Sequence, residues 1–180
     1  LSETFEREKL QLPSFEFIHD DRALGYRSKM EFGLWGDDDG IHLAHFVRGS
    51  HGKTKVQGSA LAPDALNLAA EAVIKEINTH KMRAGDIKSM MIRTDQAGNA
   101  VVALFVKRED FTQIKKPSNV QGLVVYYSNP KSPASVPTRL LYVDGERTLS
   151  DTVLGTTLQY DVLSFFQVNL PVFERAAGRI

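Results

Sequence analysis

Short runs that are either alternately hydrophobic and polar, as in residues 26–35, or continuously apolar, as in residues 100–106, predict that much of this chain forms β-strands. The runs cover residues 15–18, 26–35, 41–47, 87–94, 100–107, 123–128, 140–143 and the stretch around 157–160. Turn-forming Gly36-Asp-Asp-Asp-Gly40 separates the second run from the third, and Asp95-Gln-Ala-Gly-Asn99 separates the fourth from the fifth. The pattern therefore predicts two β-hairpins, with a further turn at Asp144-Gly145 between the last two short strands.

One segment changes to the period of an α-helix, with apolar residues at Leu66, Ala69, Ala70, Val73, Ile74 and Ile77. Pro63 suits its first turn. A second helix is predicted from Pro171 onward, and residues 1–12 predict a charged helical turn or tail. Because tight turns join most of the strands, the expected fold class is α+β, an antiparallel β-sheet with helices packed on one face.

The segment Leu163-Ser-Phe-Phe-Gln-Val-Asn-Leu-Pro-Val172 sets two amide side chains among apolar neighbours. In a buried strand, the amide of Gln167 would have up to four hydrogen-bonding positions, each costing about 1–3 kcal/mol if left unpaired. The segment is therefore typical of a surface that faces a ligand or a partner.

Composition narrows the classes of function. The chain has 180 residues, of which 42% are hydrophobic and 24% charged, as in a globular protein of one ordinary domain or of one domain and a fragment. Lys+Arg and Asp+Glu both number 22, so any RNA contact is expected from a local patch and not from overall charge. No apolar run approaches about 18 residues and no leader pattern is present, which predicts a cytoplasmic protein without a membrane partner.

Three motifs resemble the S-adenosylmethionine-dependent RNA (uracil-5-)-methyltransferases, which make 5-methyluridine in tRNA and 23S rRNA. Ser164-Phe-Phe-Gln-Val-Asn169 resembles the motif that opens the catalytic domain of that family. Gly25-Tyr-Arg-Ser-Lys29 resembles its Tyr-Arg-x-Lys strand, and residues 89–106 resemble its hairpin of Arg-Thr, turn and apolar strand. The order and spacing agree over roughly residues 22–175, so the resemblance covers most of the chain.

The resemblance implies a division into two parts. Residues 1–162 would form the central α+β domain, and residues 163–180 would begin a truncated Rossmann-like, S-adenosylmethionine-dependent methyltransferase domain. The family adds a cysteine thiolate to carbon-6 of uracil so that carbon-5 can attack the methyl group, yet this sequence contains no cysteine. No Gly-x-Gly-x-x-Gly turn follows a predicted strand either. We therefore expect a fragment that is inactive by itself, with no catalytic residue of its own and with the C-terminal catalytic domain of the same protein as a partner.

The resemblance also implies site residues. Gln167 would contact S-adenosylmethionine at the cleft between the two domains. Phe165 and Phe166 could stack on the target base, which is worth about 1–3 kcal/mol per base, or could belong to the core. Asn169 could contact the RNA or cap the following helix.

Tyr26, Arg27 and Lys29 form a second candidate group for RNA contact. Arg27 and Lys29 are two apart and would share one strand face, where they could meet RNA phosphates. Basic residues on an exposed strand also protect a sheet edge, so a purely structural role stays open.

Two further patterns carry less functional weight. The segment Arg48-Gly-Ser-His-Gly-Lys-Thr-Lys55 could follow an RNA backbone, although a solvated loop is the simpler interpretation. His42, His45 and His51 do not predict a metal site, because strand residues three apart point to opposite faces and no carboxylate motif completes a ligand set.

Two hypotheses of function follow. In the first, the parent protein transfers a methyl group from S-adenosylmethionine to carbon-5 of uridine in tRNA or rRNA. In the second, the chain is a non-catalytic RNA-binding or structural module. A glycine-rich cofactor turn and a cysteine beyond residue 180 would favour the first.

Overall fold

The computed structural model describes residues 2–50 and 52–180. The strands are β1 (Lys29–Asp37), β2 (Gly40–Phe46), β3 (Lys53–Lys55), β4 (Ile87–Thr94), β5 (Ala100–Val106), β6 (Gly122–Tyr127), β7 (Arg139–Gly145), β8 (Thr148–Val153) and β9 (Thr156–Asp161). The α-helices are α1 (Ser2–Arg7), α2 (Asp64–Thr79) and α3 (Leu170–Ala177), and a short 3-10 turn spans Ala84–Asp86. Among the described residues, no helix combines the length and hydrophobicity needed to cross a membrane.

Seven strands form one sheet in the order β3-β2-β1-β4-β5-β6-β7, while β8 and β9 pair separately. The two predicted hairpins are confirmed, because β1 runs antiparallel to β2 and β4 runs antiparallel to β5. The two hairpins lie side by side through an antiparallel β1–β4 pair. The α+β class with a mostly antiparallel sheet is therefore confirmed.

The pairing of β5 with β6 departs from the antiparallel prediction. These strands run parallel, from Val101 opposite Gly122 to Val106 opposite Tyr127. Parallel neighbours need a connection that returns along the whole strand, and residues 107–121 provide it without a helix. The backbone N–H of Ile114 in this connection donates to the Tyr142 hydroxyl at 3.0 Å. Because that partner lies on β7, the local pattern could not reveal the crossover.

The strands after β6 are also arranged differently from the sequence prediction. β7 pairs with β6, and β8, which was not predicted, pairs with β9. The turn predicted at Asp144-Gly145 lies where β7 ends, since Gly145 has a φ of 85° and β8 begins at Thr148, but it leads into β8 and not into β9. A second turn at Leu154-Gly155 joins β8 to β9. β8 buries Asp151 between Leu149 and Val153, and this charged residue on the buried face hid the alternation.

Two predictions for irregular segments are also corrected. Residues 15–18, predicted as a strand, are irregular, and Phe15 and Phe17 stay exposed because no strand pairs with them. The last three residues of the predicted loop 48–55 form β3, which pairs with the edge of β2.

The two faces of the seven-stranded sheet bury separate apolar clusters. Helix α2 covers one face with residues spaced at the helical period: Leu66, Ala69, Ala70, Val73 and Ile77. The other face is covered by β8 and β9 together with Val162, Leu163 and Phe166, and these pack on a cluster that includes Val101, Phe105 and Val124. The prediction of helices on one face is met by α2, whereas α1 buries no residue.

Candidate functional site

The segment Ser164–Asn169 is an irregular connection between β9 and α3, not a buried strand. The irregular segment ends where α3 begins, because Asn169 is the N-cap of that helix and its Oδ1 accepts a hydrogen bond from the Val172 backbone N–H at 3.5 Å. The amide nitrogen of Asn169 donates to Asp20 Oδ2 at 3.2 Å. The capping role considered for Asn169 is thus present, while a contact of Asn169 with RNA stays a prediction.

The two phenylalanines of this segment occupy opposite environments. Phe166 stacks on Tyr160 with ring centroids 4.2 Å apart and packs against the second apolar cluster. Phe165 leaves 87% of its surface exposed. Phe166 therefore takes the core role, and Phe165 presents an open aromatic face.

Gln167 is exposed, and its amide forms no hydrogen bond with the residues that the structure describes. The desolvation cost expected for a buried glutamine is therefore not incurred, because water can reach the amide. An uncharged amide that both donates and accepts is available at this position to a ligand or a partner.

The three sequence motifs meet at one end of the sheet. The Ser28 backbone N–H donates to the Val168 carbonyl at 3.0 Å, and the Thr94 N–H donates to the Ser28 carbonyl at 2.9 Å. A cavity of about 220 Å³ lies beside these bonds. Its lining includes Tyr26, Ser28, Thr94, Val168 and Leu170. Gln167 is outside that lining, so the cavity and the free amide are separate features.

The predicted cations near this cavity differ in their surroundings. Arg27 precedes β1, so the period-two argument that put Arg27 and Lys29 on one strand face is wrong for Arg27. Its Nε donates to the Lys29 carbonyl at 3.2 Å, and its side chain is exposed. Lys29 is half-buried opposite Arg93, and burial followed by the Arg93 charge lowers the pKa of Lys29.

The sequence reasoning missed Arg93 as an individual site residue. Arg93 is only 2% exposed, and among the described residues its Nε and Nη1 have no hydrogen-bond partner. Its guanidinium carbon lies 5.2 Å from the centroid of the Tyr160 ring. Burial lowers the pKa of Arg93, against the opposing influence of Tyr160, Asp161 and Asp151. The available signal was an arginine at an inward position of the apolar strand β4.

A buried polar chain supports this arginine. The Tyr160 hydroxyl donates to Asp151 Oδ2, and the Gln96 backbone N–H donates to Asp151 Oδ1 at 2.8 Å. Burial, followed by the hydrogen bond to Asp151, raises the pKa of Tyr160. The Arg93–Tyr160–Phe166 stack thus connects β4, β9 and the Ser164–Asn169 segment.

The histidines have structural partners. His42 Nε2 lies 2.9 Å from Asp37 Oδ1, and His45 stacks on Phe32. His51 falls outside the described residues. Within residues 2–50 and 52–180, no group of three or more His, Cys, Asp or Glu side chains could hold a metal ion.

Comparison with known proteins extends these observations. No family model matches the chain. An uncharacterised RNA methyltransferase of Parasynechococcus marenigrum (strain WH8102) is 21% identical over 184 aligned residues, covering 93% of this chain and 40% of the relative. The Pyrococcus abyssi tRNA (uracil-54, C5)-methyltransferase, solved in complex with S-adenosyl-L-homocysteine, superposes with a TM-score of 0.70 and 16% identity.

The structural match covers 88% of this chain and 41% of the archaeal enzyme, so the chain spans about two fifths of the length of either relative. At this identity the superposition shows a shared fold. Together, the sequence relative and the structural match support the RNA (uracil-5-)-methyltransferases as the family that the three motifs of this chain resemble.

Proposed function

We propose that this chain is the central domain of an RNA (uracil-5-)-methyltransferase that transfers a methyl group from S-adenosylmethionine to carbon-5 of uridine in tRNA or rRNA. Residues 163–180 would begin the methyltransferase domain of that enzyme. The observation that carries the proposal is the 3.0 Å hydrogen bond from Ser28 to Val168, which joins two of the family-like motifs. It holds the Ser164–Asn169 segment against the sheet while Phe165 and Gln167 stay exposed.

The cofactor would require more chain than is present here. The cavity of about 220 Å³ is smaller than the range of about 300–1,000 Å³ usual for small-molecule sites. Gln167 would supply a neutral donor and acceptor from one side, and the following domain would supply the other side. Because the sequence contains no cysteine, the thiolate that the family adds to uracil carbon-6 would also come from elsewhere, and the 180 residues alone would be inactive.

The remaining predicted residues would contact RNA. Phe165 is the better stacking platform of the phenylalanine pair, since Phe166 is already occupied by Tyr160. Tyr26 lines the cavity, and Arg27 and Lys29 lie next to it in the chain, where they would place a phosphate without reading sequence. Asn169 would contact the RNA from the N-terminus of α3.

The test of this function is a pair of methyl-transfer assays with labelled S-adenosylmethionine and RNA. The purified 180-residue chain should transfer no label, whereas a longer protein that includes the sequence after residue 180 should transfer it to uridine. Transfer by the short chain would contradict the fragment proposal. A longer protein that binds RNA without transferring label would instead support the non-catalytic module.

Gln167 can be tested separately in the longer protein. Gln167→Ala should weaken S-adenosylmethionine binding by about tenfold, as expected for the loss of about 1.4 kcal/mol, with little change in melting temperature because the side chain is exposed. Gln57→Ala, at an exposed glutamine between β3 and α2, is the matched control and should bind normally. Equal affinities for the two variants would exclude Gln167 from the cofactor site.

Phe165 and Phe166 form an internal comparison for the base-stacking role. Phe165→Ala should lower RNA methylation by the longer protein and leave stability unchanged, since its ring is exposed. Phe166→Ala should mainly lower stability, because its ring packs on Tyr160. The assignment fails if Phe165→Ala methylates RNA as well as the unaltered protein does.

A further inference from the structure

Two lysines, Lys53 and Lys88, lie near Phe46 on the sheet face opposite α2, and Lys107 is close enough for its charge to act on both. Lys53, Lys88 and Lys107, with Phe46, are called the lysine face below. Among the residues that the structure describes, none of the three lysines forms a salt bridge with a carboxylate. Desolvation, followed in each case by the charge of Lys107, lowers the pKa of Lys53 and of Lys88. The Lys107 ammonium group therefore repels the ammonium groups of Lys53 and Lys88.

Hydrogen bonds to carbonyl oxygens hold two of these lysines in place. Lys53 Nζ donates to the Leu34 carbonyl at 3.0 Å, and Lys88 Nζ donates to the Asn129 carbonyl at 3.0 Å. These are neutral acceptors, which fix the ammonium groups without neutralising them. A groove of about 310 Å³ lies beside Lys88 and Phe46, and its lining also includes Glu31, Gly33 and Ser135.

Several other cations of the molecule are neutralised by carboxylates, whereas others, such as Lys75 and Lys115, form no ion pair with the described residues. Lys55, Arg108, Arg139 and Arg147 each form an ion pair with an aspartate or a glutamate. Since the chain has no net charge, a cluster of unneutralised cations makes the lysine face locally positive. Glu31 is the acidic residue that lines the groove. It raises the pKa of Lys88, but burial and the charge of Lys107 have larger effects in the opposite direction.

An aromatic ring accompanies this charge. Phe46 is 63% exposed, and Lys53 Nζ lies 5.0 Å from its centroid. A row of cations next to an open aromatic face suits single-stranded nucleic acid, because the cations follow phosphates while a base stacks on the ring. An acidic protein surface would satisfy the lysines but would leave the exposed ring without a matching group.

We propose that the lysine face binds the backbone of single-stranded RNA and that Phe46 stacks on one of its bases. This inference rests on RNA being the substrate in the proposed function, and it adds a contact distant from Phe165 and Gln167. Strand β1 connects the two places: Ser28, the residue before the strand, donates to the Val168 carbonyl, and Gly33 lies under the Lys53 side chain. Lys29 and Gly33 are four positions apart in the strand, which corresponds to about 13 Å at the usual rise per residue.

The experiment is a salt titration of the 180-residue chain with a fluorescent single-stranded oligouridine. The unaltered chain should bind at low salt, and its affinity should fall as salt rises. Lys53→Gln with Lys107→Gln should weaken binding by roughly tenfold or more and make the slope of log affinity against log salt shallower by about 1.4, since each phosphate contact on a single strand contributes about 0.7.

The matched control removes the same charge elsewhere. Lys75→Gln with Lys115→Gln changes exposed lysines on α2 and on the connection between β5 and β6. It should leave the slope nearly unchanged. Lys107→Gln alone guards against misfolding, because the Lys107 side chain makes no hydrogen bond or ion pair with the described residues, and it should give about half of the change in slope. Phe46→Ala should weaken binding without altering the slope.

Two results would overturn the proposal. One is an unaltered chain that does not bind oligouridine even at low salt. The other is an equal loss of affinity and slope in the lysine-face variant and in the control variant, which would mean that overall charge drives binding. Neither result depends on methyl transfer by the longer protein, so the lysine face and the proposed function can fail separately.

Discussion

The two faces of the central sheet bury different kinds of side chain. On the face against α2, the first cluster is apolar throughout, with Phe32, Met90 and Leu104 fully enclosed. On the opposite face, β8 and β9 enclose Arg93 and Asp151 together with apolar residues. The first face needs nothing beyond the packing of its own residues. The second keeps charged groups whose hydrogen-bonding capacity is only partly used.

This difference separates stability from binding. Apolar burial stabilises a fold by roughly 25 cal/mol per Å² and does not depend on a partner. Polar groups inside a protein are costly unless paired, so they tend to persist where they serve a site. The second face accordingly carries the Arg93–Tyr160–Phe166 stack and, toward β3, the lysine face.

The largest effect is expected from the apolar face. Leu66→Ala on α2 should lower the free energy of unfolding by about 2–5 kcal/mol, because Leu66 is fully enclosed and its loss leaves a cavity. Leu68→Ala on the same helix is the control: Leu68 is 56% exposed, and its truncation should change stability by no more than about 0.5 kcal/mol. Denaturant unfolding measures both. Similar losses would mean that α2 does not pack on the sheet as described.

A smaller loss is expected from the polar face. Tyr160→Phe removes the hydroxyl that donates to Asp151 and leaves that buried carboxylate with the Gln96 N–H as its remaining donor. The cost should be about 1–3 kcal/mol in the free energy of unfolding. Tyr127→Phe makes the same chemical change at a half-buried hydroxyl with no hydrogen bond among the described residues, and it should be close to neutral. Equal effects would show that the Tyr160–Asp151 bond contributes nothing.

Arg93 gives the sharpest contrast between the two faces. Arg93→Met replaces a buried guanidinium by an apolar side chain of similar length, so unfolding should be unchanged or made harder by about 1 kcal/mol. The same kind of swap on the α2 face could only lose packing. A loss of more than about 2 kcal/mol would contradict this expectation, because it would mean that the neighbours of Arg93 compensate its buried charge and that Arg93 stabilises the fold.

The sequence predicted the α2 face more completely than the opposite one. Alternating or continuously apolar runs and the helical spacing of Leu66, Val73 and Ile77 depend on neighbours in the chain. The strands β1, β2, β4 and β5 and the helix α2 could therefore be predicted locally. The second face depends on β8, whose buried Asp151 breaks the alternation of polar and apolar residues. It also depends on β6 pairing in parallel with β5 in the sheet beneath. Both features depend on contacts between residues far apart in sequence.

The candidate site shows the same limit. The polar segment with Gln167 and Phe165 could be found from sequence, because amides among apolar residues are unusual and the motif resembles a known family. The division of roles between Phe165 and Phe166 could not, since it follows from where Tyr160 lies in β9. The burial of the Arg93 guanidinium could not be predicted from sequence either. An arginine in a strand is ordinarily solvated, and only the packing of β9 buries this one.

The smallest effect is expected at the β1–β2 turn, at the rim of the sheet. Asp37 Oδ2 lies 2.9 Å from Lys55 Nζ and Oδ1 lies 2.9 Å from His42 Nε2. The Lys55 hydrogen bond, followed by that of His42, lowers the pKa of Asp37 from 3.8 to about 2. Because the pKa is lower in the folded state, the carboxylate stabilises the fold above about pH 4, and this contribution disappears as pH falls from 4 to about 2.

The melting temperatures of the unaltered chain and of Asp37→Asn should therefore differ slightly at pH 5 and converge toward about pH 2. The difference should also shrink with added salt, because the pair is exposed to solvent. Asp38→Asn removes a carboxylate from the same turn that contacts no cation among the described residues, and it controls for the loss of charge alone. A difference in melting temperature for Asp37→Asn that persists at pH 2 would show that the turn depends on the shape of the side chain and not on its charge. The turn would then be stabilised by packing, as the α2 face of the sheet is.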